Sequence, residues 1–214
     1  ISTKAIVLRK IKYSDSSLIV DTFTESEGRK SFFIKGILGK TKGKIKNSHF
    51  QPLSQILIKY NRREKKKINF LVECKINRHC QNLYLDYRKS SIILFLNEIL
   101  NMCLFEETGN KELFFFLETS LKWLDESDKI SNFHIKFILN LLKYLGINPR
   151  LKSSKSKFLS FENGSFEEKK PIGLYAEGDS IKSIISLLGM NFDDCFMLKI
   201  SHVQKHEILK VLLE

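Results

Sequence analysis

Long apolar runs are missing from this chain of 214 residues. None reaches the roughly 18 uninterrupted residues a membrane-crossing helix needs, which speaks against a membrane-embedded protein. Cysteine is scarce. Cys74, Cys80, Cys103 and Cys195 nowhere stand at C-x-x-C spacing, so a zinc module built from cysteines is not expected. Reduced, buried thiols in a cytoplasmic protein are the expectation. His202 and His206 are spaced as i, i+4 on a helix, but no third ligand stands near them, so neither metal nor cofactor is expected. No G-x-S-x-G, H-E-x-x-H or Rossmann pattern occurs. Asp15, Asp21, Glu25 and Glu27 are the acids a metal-dependent nuclease would use, yet they lack paired-ligand spacing and suit turns. There is no internal repeat and no Pro/Ser linker. The N-terminus opens as a strand rather than as a signal peptide. The start at Ile1 and the close on a helix still running imply trimmed ends.

What is abundant is positive charge, and it is unevenly placed. Residues 1–80 hold 19 Lys and Arg against 6 Asp and Glu, a balance of +13; residues 81–214 hold 17 against 18, a balance of −1. A basic module joined to a neutral one points to a polyanion surface. No basic amphipathic helix accompanies it, so nucleic acid fits better than lipid headgroups.

The basic part reads as strands. "KAIVLRKIK" (4–12), "LIVDTFT" (18–24), "RKSFFIKG" (29–36), "LSQILIKY" (53–60) and "INFLVECKI" (68–76) are short, β-branched and separated by turn residues. In the last, Ile68, Phe70, Val72, Cys74 and Ile76 alternate, which predicts that they share the inward face. Five strands with one long loop between the third and fourth predict an OB-type barrel over residues 1–80. From residue 81 the period becomes helical. Helices are expected at about 82–105, 111–126 and 130–146, with Gly146 as a stop. A hairpin is expected at 157–168, turning at Asn163-Gly164, and C-terminal helices follow from 178 and from 201. The class is α+β: a five-stranded OB-fold barrel, then a mainly helical domain (81–214) with a small hairpin.

Two stretches carry most of the charge. "KGILGKTKGKIKN" (35–47) offers Lys35, Lys40, Lys42, Lys44 and Lys46; the turn before the fifth strand offers Arg62, Arg63, Lys65, Lys66 and Lys67. Gly39-Lys40-Thr41 looks like the end of a nucleotide-binding loop, but the first glycine of that motif would have to stand where Ile34 is. A phosphodiester-tracking loop is the reading that remains. Tyr13, Phe33, Phe50 and Tyr60 are candidates for stacking on bases beside it. The plainer alternative makes the lysines solvated turns and the aromatics core.

The order of these pieces resembles the bacterial RecO family of recombination mediators. The resemblance rests on Ala5-Ile6-Val7-Leu8, Tyr13-Ser14-Asp15 through Val20, Phe23-Thr24, Gly28, Ile34-Lys35-Gly36, "FQPLS" (50–54) and "FHIKFILNLLKYLGINPRL" (133–151). It implies an OB fold with a helical C-terminal domain, and binding of single- and double-stranded DNA. It implies strand annealing without covalent chemistry, hence no enzyme, in the cytoplasm at the nucleoid. It also implies partners: RecR, and the acidic C-terminal tail of single-strand DNA-binding protein, so that RecA is loaded. Lys136 and Lys143, two helical turns apart and flanked by Leu139 and Leu142, are the expected tail site. Many relatives carry a four-cysteine zinc module after the L-G helix, but the corresponding stretch here, from Lys152 to Pro171, has no cysteine. An RNA-binding or ribosome-associated OB module is the alternative, and a nuclease the more remote one.

Overall fold

The computed structural model describes residues 1–39, 45–62, 68–105, 108–151, 153 and 155–213. Five strands close a barrel in the order β1-β2-β3-β5-β4: β1 (Ser2–Lys12), β2 (Leu18–Thr24), β3 (Gly28–Ile34), β4 (Gln55–Asn61) and β5 (Ile68–Ile76). The β1–β2 and β2–β3 pairs are antiparallel hairpins. β1 returns to pair with β4, and β3 meets β5 in parallel. This is the expected OB barrel. Gly28 takes φ 65° at the start of β3, where a left-handed residue closes the turn without a Cβ clash. β1 serves two neighbours because it bends. Leu8 is skipped between the Val7–Thr22 and Arg9–Asp21 pairs, and such a bulge adds twist.

The barrel interior is filled by Ala5, Val7, Leu18, Val20, Phe32, Ile34, Ile56, Ile58, Tyr60 and Cys74, and Phe50 from a 3₁₀ turn (Asn47–Phe50) joins this core. The alternation expected for β5 holds only in its second half. Cys74 is buried, but Ile68, Phe70 and Val72 are exposed, while Asn69 is buried. The reason is a second bulge. Lys59 pairs with Glu73 and Tyr60 with Leu71, so Val72 is the extra residue. One inserted residue turns every earlier side chain to the opposite face.

The period changes near residue 80, but the packing boundary falls later. Two compact units are formed, Ile1–Glu126 and Ser127–Glu214. Helices α1 (Asn82–Leu85), α2 (Tyr87–Cys103) and α3 (Lys111–Glu126) therefore belong with the barrel. Asp86 breaks the helix expected at 82–105 and caps α2 through a bond from Arg88 N. Ile93, Leu96, Ile99 and Leu100 form the buried stripe of α2. Several polar ties fasten these helices to strands. Arg29 donates to the carbonyls of Asn101 and Leu104, Asn101 donates to Leu8 O, and Lys4 pairs with Glu118 at 3.0 Å. Phe23 stacks on Phe114 at 6.3 Å. One side of the barrel is thus covered.

In the second unit, α4 (Phe133–Tyr144), α5 (Asp179–Leu188) and α6 (His202–Leu213) share a core with a small sheet. The expected hairpin is the middle of four strands ordered β6-β8-β7-β9: β6 (Arg150–Leu151), β7 (Phe158–Ser160), β8 (Ser165–Glu167) and β9 (Tyr175–Glu177). Flanking segments add to both hairpin edges, which leaves fewer backbone groups unpaired. Gly146 has φ 80°, as expected for a helix stop, and Gly178 stands at the N-cap of α5. Among the described residues no helix is long and apolar enough to cross a membrane.

One titration follows from this packing. Burial, and then the charge of Lys205, hold His134 of α4 down at about 4, against the usual 6.5. A histidine whose folded pKa is depressed stays neutral in the fold while the unfolded chain takes up the proton. Its stabilising contribution is present above pH 6.5 and is lost as pH falls toward 4. Thermal melts should lose roughly 2–3 kcal/mol across that window, allowing for partial exposure. A His134→Gln variant should show a flatter curve, and an unchanged curve would exclude His134 as the source.

Candidate nucleic-acid interface

The barrel face that the helices leave open carries a continuous apolar row. It follows from strand register. Ile11 pairs with Ile19, Ile19 with Phe33, and Phe33 with Phe70. Directly opposed residues point to the same side of a sheet, so β1, β2, β3 and β5 each place one apolar side chain on this line. Tyr13, just past the end of β1, meets Phe33 edge-on at 5.4 Å, and Phe33 meets Phe70 edge-on at 5.6 Å. Tyr13 is 66% exposed and Phe70 42% exposed. Three linked rings in water on a folded barrel are unusual for a surface without a ligand. Ile68 and Val72 extend the patch along β5, both turned outward by the bulge.

Of the stacking candidates named from sequence, Tyr13 and Phe33 lie on this row. Phe50 and Tyr60 do not: they are 1% and 0% exposed, inside the barrel core. The Tyr60 hydroxyl instead donates to Glu27. Phe70 was assigned inward by alternation and is the residue that sequence reasoning missed. No sequence signal marks Val72 as a bulge.

Cations border the row. Lys35 is exposed, two residues after Phe33 on the same strand line, and Arg62 follows Asn61, the partner of Phe70 on β4. Arg62 is also held by Glu27 at 3.3 Å. Lys46 is exposed but lies in a different place. It begins the 3₁₀ turn and lines a separate cavity with His49, Arg78 and His79. Lys40, Lys42, Lys44, Arg63, Lys65, Lys66 and Lys67 lie outside the described residues.

Of the four acids that a nuclease would use, Asp15, Asp21 and Glu27 are engaged in ion pairs. Asp15 meets Lys12 at 3.2 Å. Asp21 accepts from the Ser31 hydroxyl at 2.6 Å and pairs with Arg29 at 3.5 Å. Glu27 holds Tyr60 and Arg62. Among the described residues no group of three His, Cys, Asp or Glu is placed to hold a metal ion. The arrangement can bind a polyanion and stack flat rings.

In the second unit, Lys136 and Lys143 share a helix face closely enough for Lys143 to depress Lys136. Burial is the larger cause. The expected surface pair is only half exposed, however. Lys136 is 3% exposed and its ammonium donates to Leu188 O at 3.4 Å, while Lys143 is open to solvent. Leu139 is buried and belongs to the core. The helix packs this way because α5 covers the turn on which Lys136 sits.

Comparison with known proteins adds a second line. Residues 1–79 match the family described as "Recombination protein O N terminal", and residues 84–214 match "Recombination protein O C terminal". The chain is 36% identical to "DNA repair protein RecO" of Christiangramia forsetii, with 100% of this chain and 89% of that one aligned. It is 36% identical to the Flavobacterium johnsoniae protein of the same name, over 100% and 90% of the two chains. For that of Bacteroides fragilis the figure is 31%, over 99% and 89%.

Proposed function

This chain belongs to the RecO family of DNA repair proteins, and on that premise we propose that it is a DNA-binding recombination mediator. In this reading it anneals complementary strands and, with RecR, helps load RecA on DNA coated by single-strand DNA-binding protein. It is a binding protein acting at the nucleoid, and annealing requires no bond to be made or broken by the protein. Cations screen the two phosphate backbones from each other, and base pairing supplies the free energy.

The observation that carries the reading is the row Ile11–Ile19–Phe33–Phe70 with Tyr13 at its edge, on the basic half of the chain. Every base has a flat face, so rings of this kind hold single strands with little regard to sequence, while cations follow the backbone. Phe70→Ala and Phe33→Ala should each weaken binding of single-stranded DNA by about 1–3 kcal/mol, roughly five- to hundredfold in Kd. Annealing should slow in parallel, with melting temperature as the control for folding. Unchanged affinity in both variants would move the site off this face.

Salt separates stacking from charge. If five to eight cations neutralise phosphates, log K should fall against log salt with a slope of roughly −3.5 to −5.6, from about −0.7 per contact on single strands. Replacing Lys40, Lys42 and Lys44 by alanine should flatten that slope by up to about 2, whereas Phe70→Ala should leave it unaltered. A slope indifferent to the three lysines would mean that the loop stays off the DNA.

The partner tail is assigned to α4. A tail rich in acids that ends in an apolar residue needs a cation beside an apolar wall, and Lys143 is the solvent-facing cation there. Lys143→Glu should weaken tail-peptide binding about tenfold or more, the worth of one charge-assisted hydrogen bond of about 1.5 kcal/mol. It should spare binding to naked single strands. Lys136→Met, which removes the buried charge and keeps the bulk, reports the role of the other lysine. Tail binding intact in both variants would reduce the two lysines to parts of the fold.

A further inference from the structure

The cavity that takes Lys46 shares no residue with the aromatic row. It encloses about 320 Å³ between the 3₁₀ turn, the start of β4, the chain beyond β5 and α1. Lys46, His49, Arg78 and His79 stand in its wall, and among the described residues no carboxylate does. The nearest acid relation is that of Arg78 with Glu126 at 4.0 Å, and Glu126 is shared with Lys122 at the same distance. Four basic groups therefore stand here against one distant carboxylate that is shared with Lys122. His49 registers this: burial first, then Lys46, then His79, hold its imidazole below the usual value. The other titratable walls, Cys80 and Tyr84, are both raised chiefly by burial and stay neutral near pH 7. Asp125 acts on both and Glu126 on Cys80 as smaller causes, but neither lines the cavity.

A second feature narrows the ligand. Gln55 also lines the cavity and is 4% exposed. Its amide nitrogen donates to Glu118 O at 3.2 Å, which leaves Oε1 buried with no hydrogen-bond partner. An unmet buried acceptor costs about 1–3 kcal/mol, and it calls for an N–H or O–H donor. A phosphate monoester dianion has no such donor, so the donor has to come from another part of the ligand. The ligand must carry negative charge for the four basic side chains and a donor for Gln55, and it must suit a cavity at the small end of ligand pockets, roughly 300 Å³. Tyr84 and Ile76 supply apolar surface for a ring.

We propose that this cavity binds a nucleotide, its phosphate among Lys46, His49, Arg78 and His79 and the amino or imino edge of its base on Gln55. The nucleotide is either free or the phosphorylated end of a DNA strand. The strand-end form rests on the DNA-binding reading above; the free form does not.

The test uses the full chain. Deoxynucleoside 5′-monophosphates are titrated in while the imidazole C–H resonances of His49 and His79 are followed against pH. Saturable binding should raise the His49 pKa by about one unit, a tenfold gain in proton affinity. Inorganic phosphate and unphosphorylated nucleosides should bind at least about tenfold more weakly, each lacking one of the two recognised parts. The Arg78→Gln, His79→Gln double variant should lose the effect without a change in melting temperature, since both side chains are exposed. Gln55→Leu should reduce mononucleotide binding to the level of inorganic phosphate. In parallel, oligonucleotides of one sequence with phosphorylated and hydroxyl ends are compared. A preference for the phosphorylated end, absent from the double variant, assigns the strand terminus as the source. Mononucleotide binding without that preference assigns the free nucleotide. Unmoved imidazoles together with equal binding of both ends would overturn the proposal, as would inorganic phosphate binding as tightly as the mononucleotides. The affinity of the hydroxyl-ended strand reports separately on DNA binding itself.

Discussion

Across the β4–β5 ladder Val72 has no partner, because Lys59 faces Glu73 and Tyr60 faces Leu71. The far half of β5 is turned over by that step. Cys74 still points into the barrel with Ile58 and Tyr60, while Ile68 and Phe70 point out. Without the extra residue, Phe70 would fill the core and the outer face would receive Asn69 and Leu71. The strand that closes the barrel against β3 in parallel is therefore also the strand that completes the aromatic row. Barrel closure and the aromatic row depend on the same ladder irregularity, and bulges often re-aim side chains in this way.

The opposite face of the barrel has been given to packing. Arg29, Asn101, Lys4 and Glu118 tie α2 and α3 to the strands by long-range polar contacts, and Phe23 meets Phe114 over them. Several acids of this unit take part in such ties. Asp21 orients Arg29 and Ser31, and Glu27 joins Tyr60 to Arg62. Residues 1–80 hold only 6 Asp and Glu against 19 Lys and Arg, so positive charge there far exceeds the acids available to pair with it. The resulting field favours polyanions at long range and weakens with salt. Lys136 shows the converse. A lysine that reads as surface charge lies under α5, keeps one backbone carbonyl and is depressed by its surroundings.

Much of this was legible beforehand. Alternation and turn residues placed five strands, and β2 and β5 end where their apolar runs end. Helical period placed α3 and α4, because Phe133, Phe137 and Leu141 form one buried stripe. The asymmetry of charge pointed to nucleic acid before any geometry was known. The errors have physical causes. Phe50 and Tyr60 looked like stacking residues, since an aromatic near basic loops has no local mark that separates core from surface. Phe70 looked like core, because a bulge depends on the partner strand. Gln55 drew no notice, as an unmet acceptor exists only once its neighbours are in place.

By itself, then, the sequence determined which segments are strands and which are helices, where the charge lies, and the family to which both halves belong. These depend on local periodicity, turn chemistry and composition, all of which are read along the chain. Tertiary structure alone decided which aromatics face water, that the first three helices pack with the barrel, that Lys136 is buried, and that Lys46 joins His49, Arg78 and His79 around one cavity. Those facts turn on strand register and on contacts between residues far apart in the chain, and a single residue inserted in one ladder is enough to reverse them.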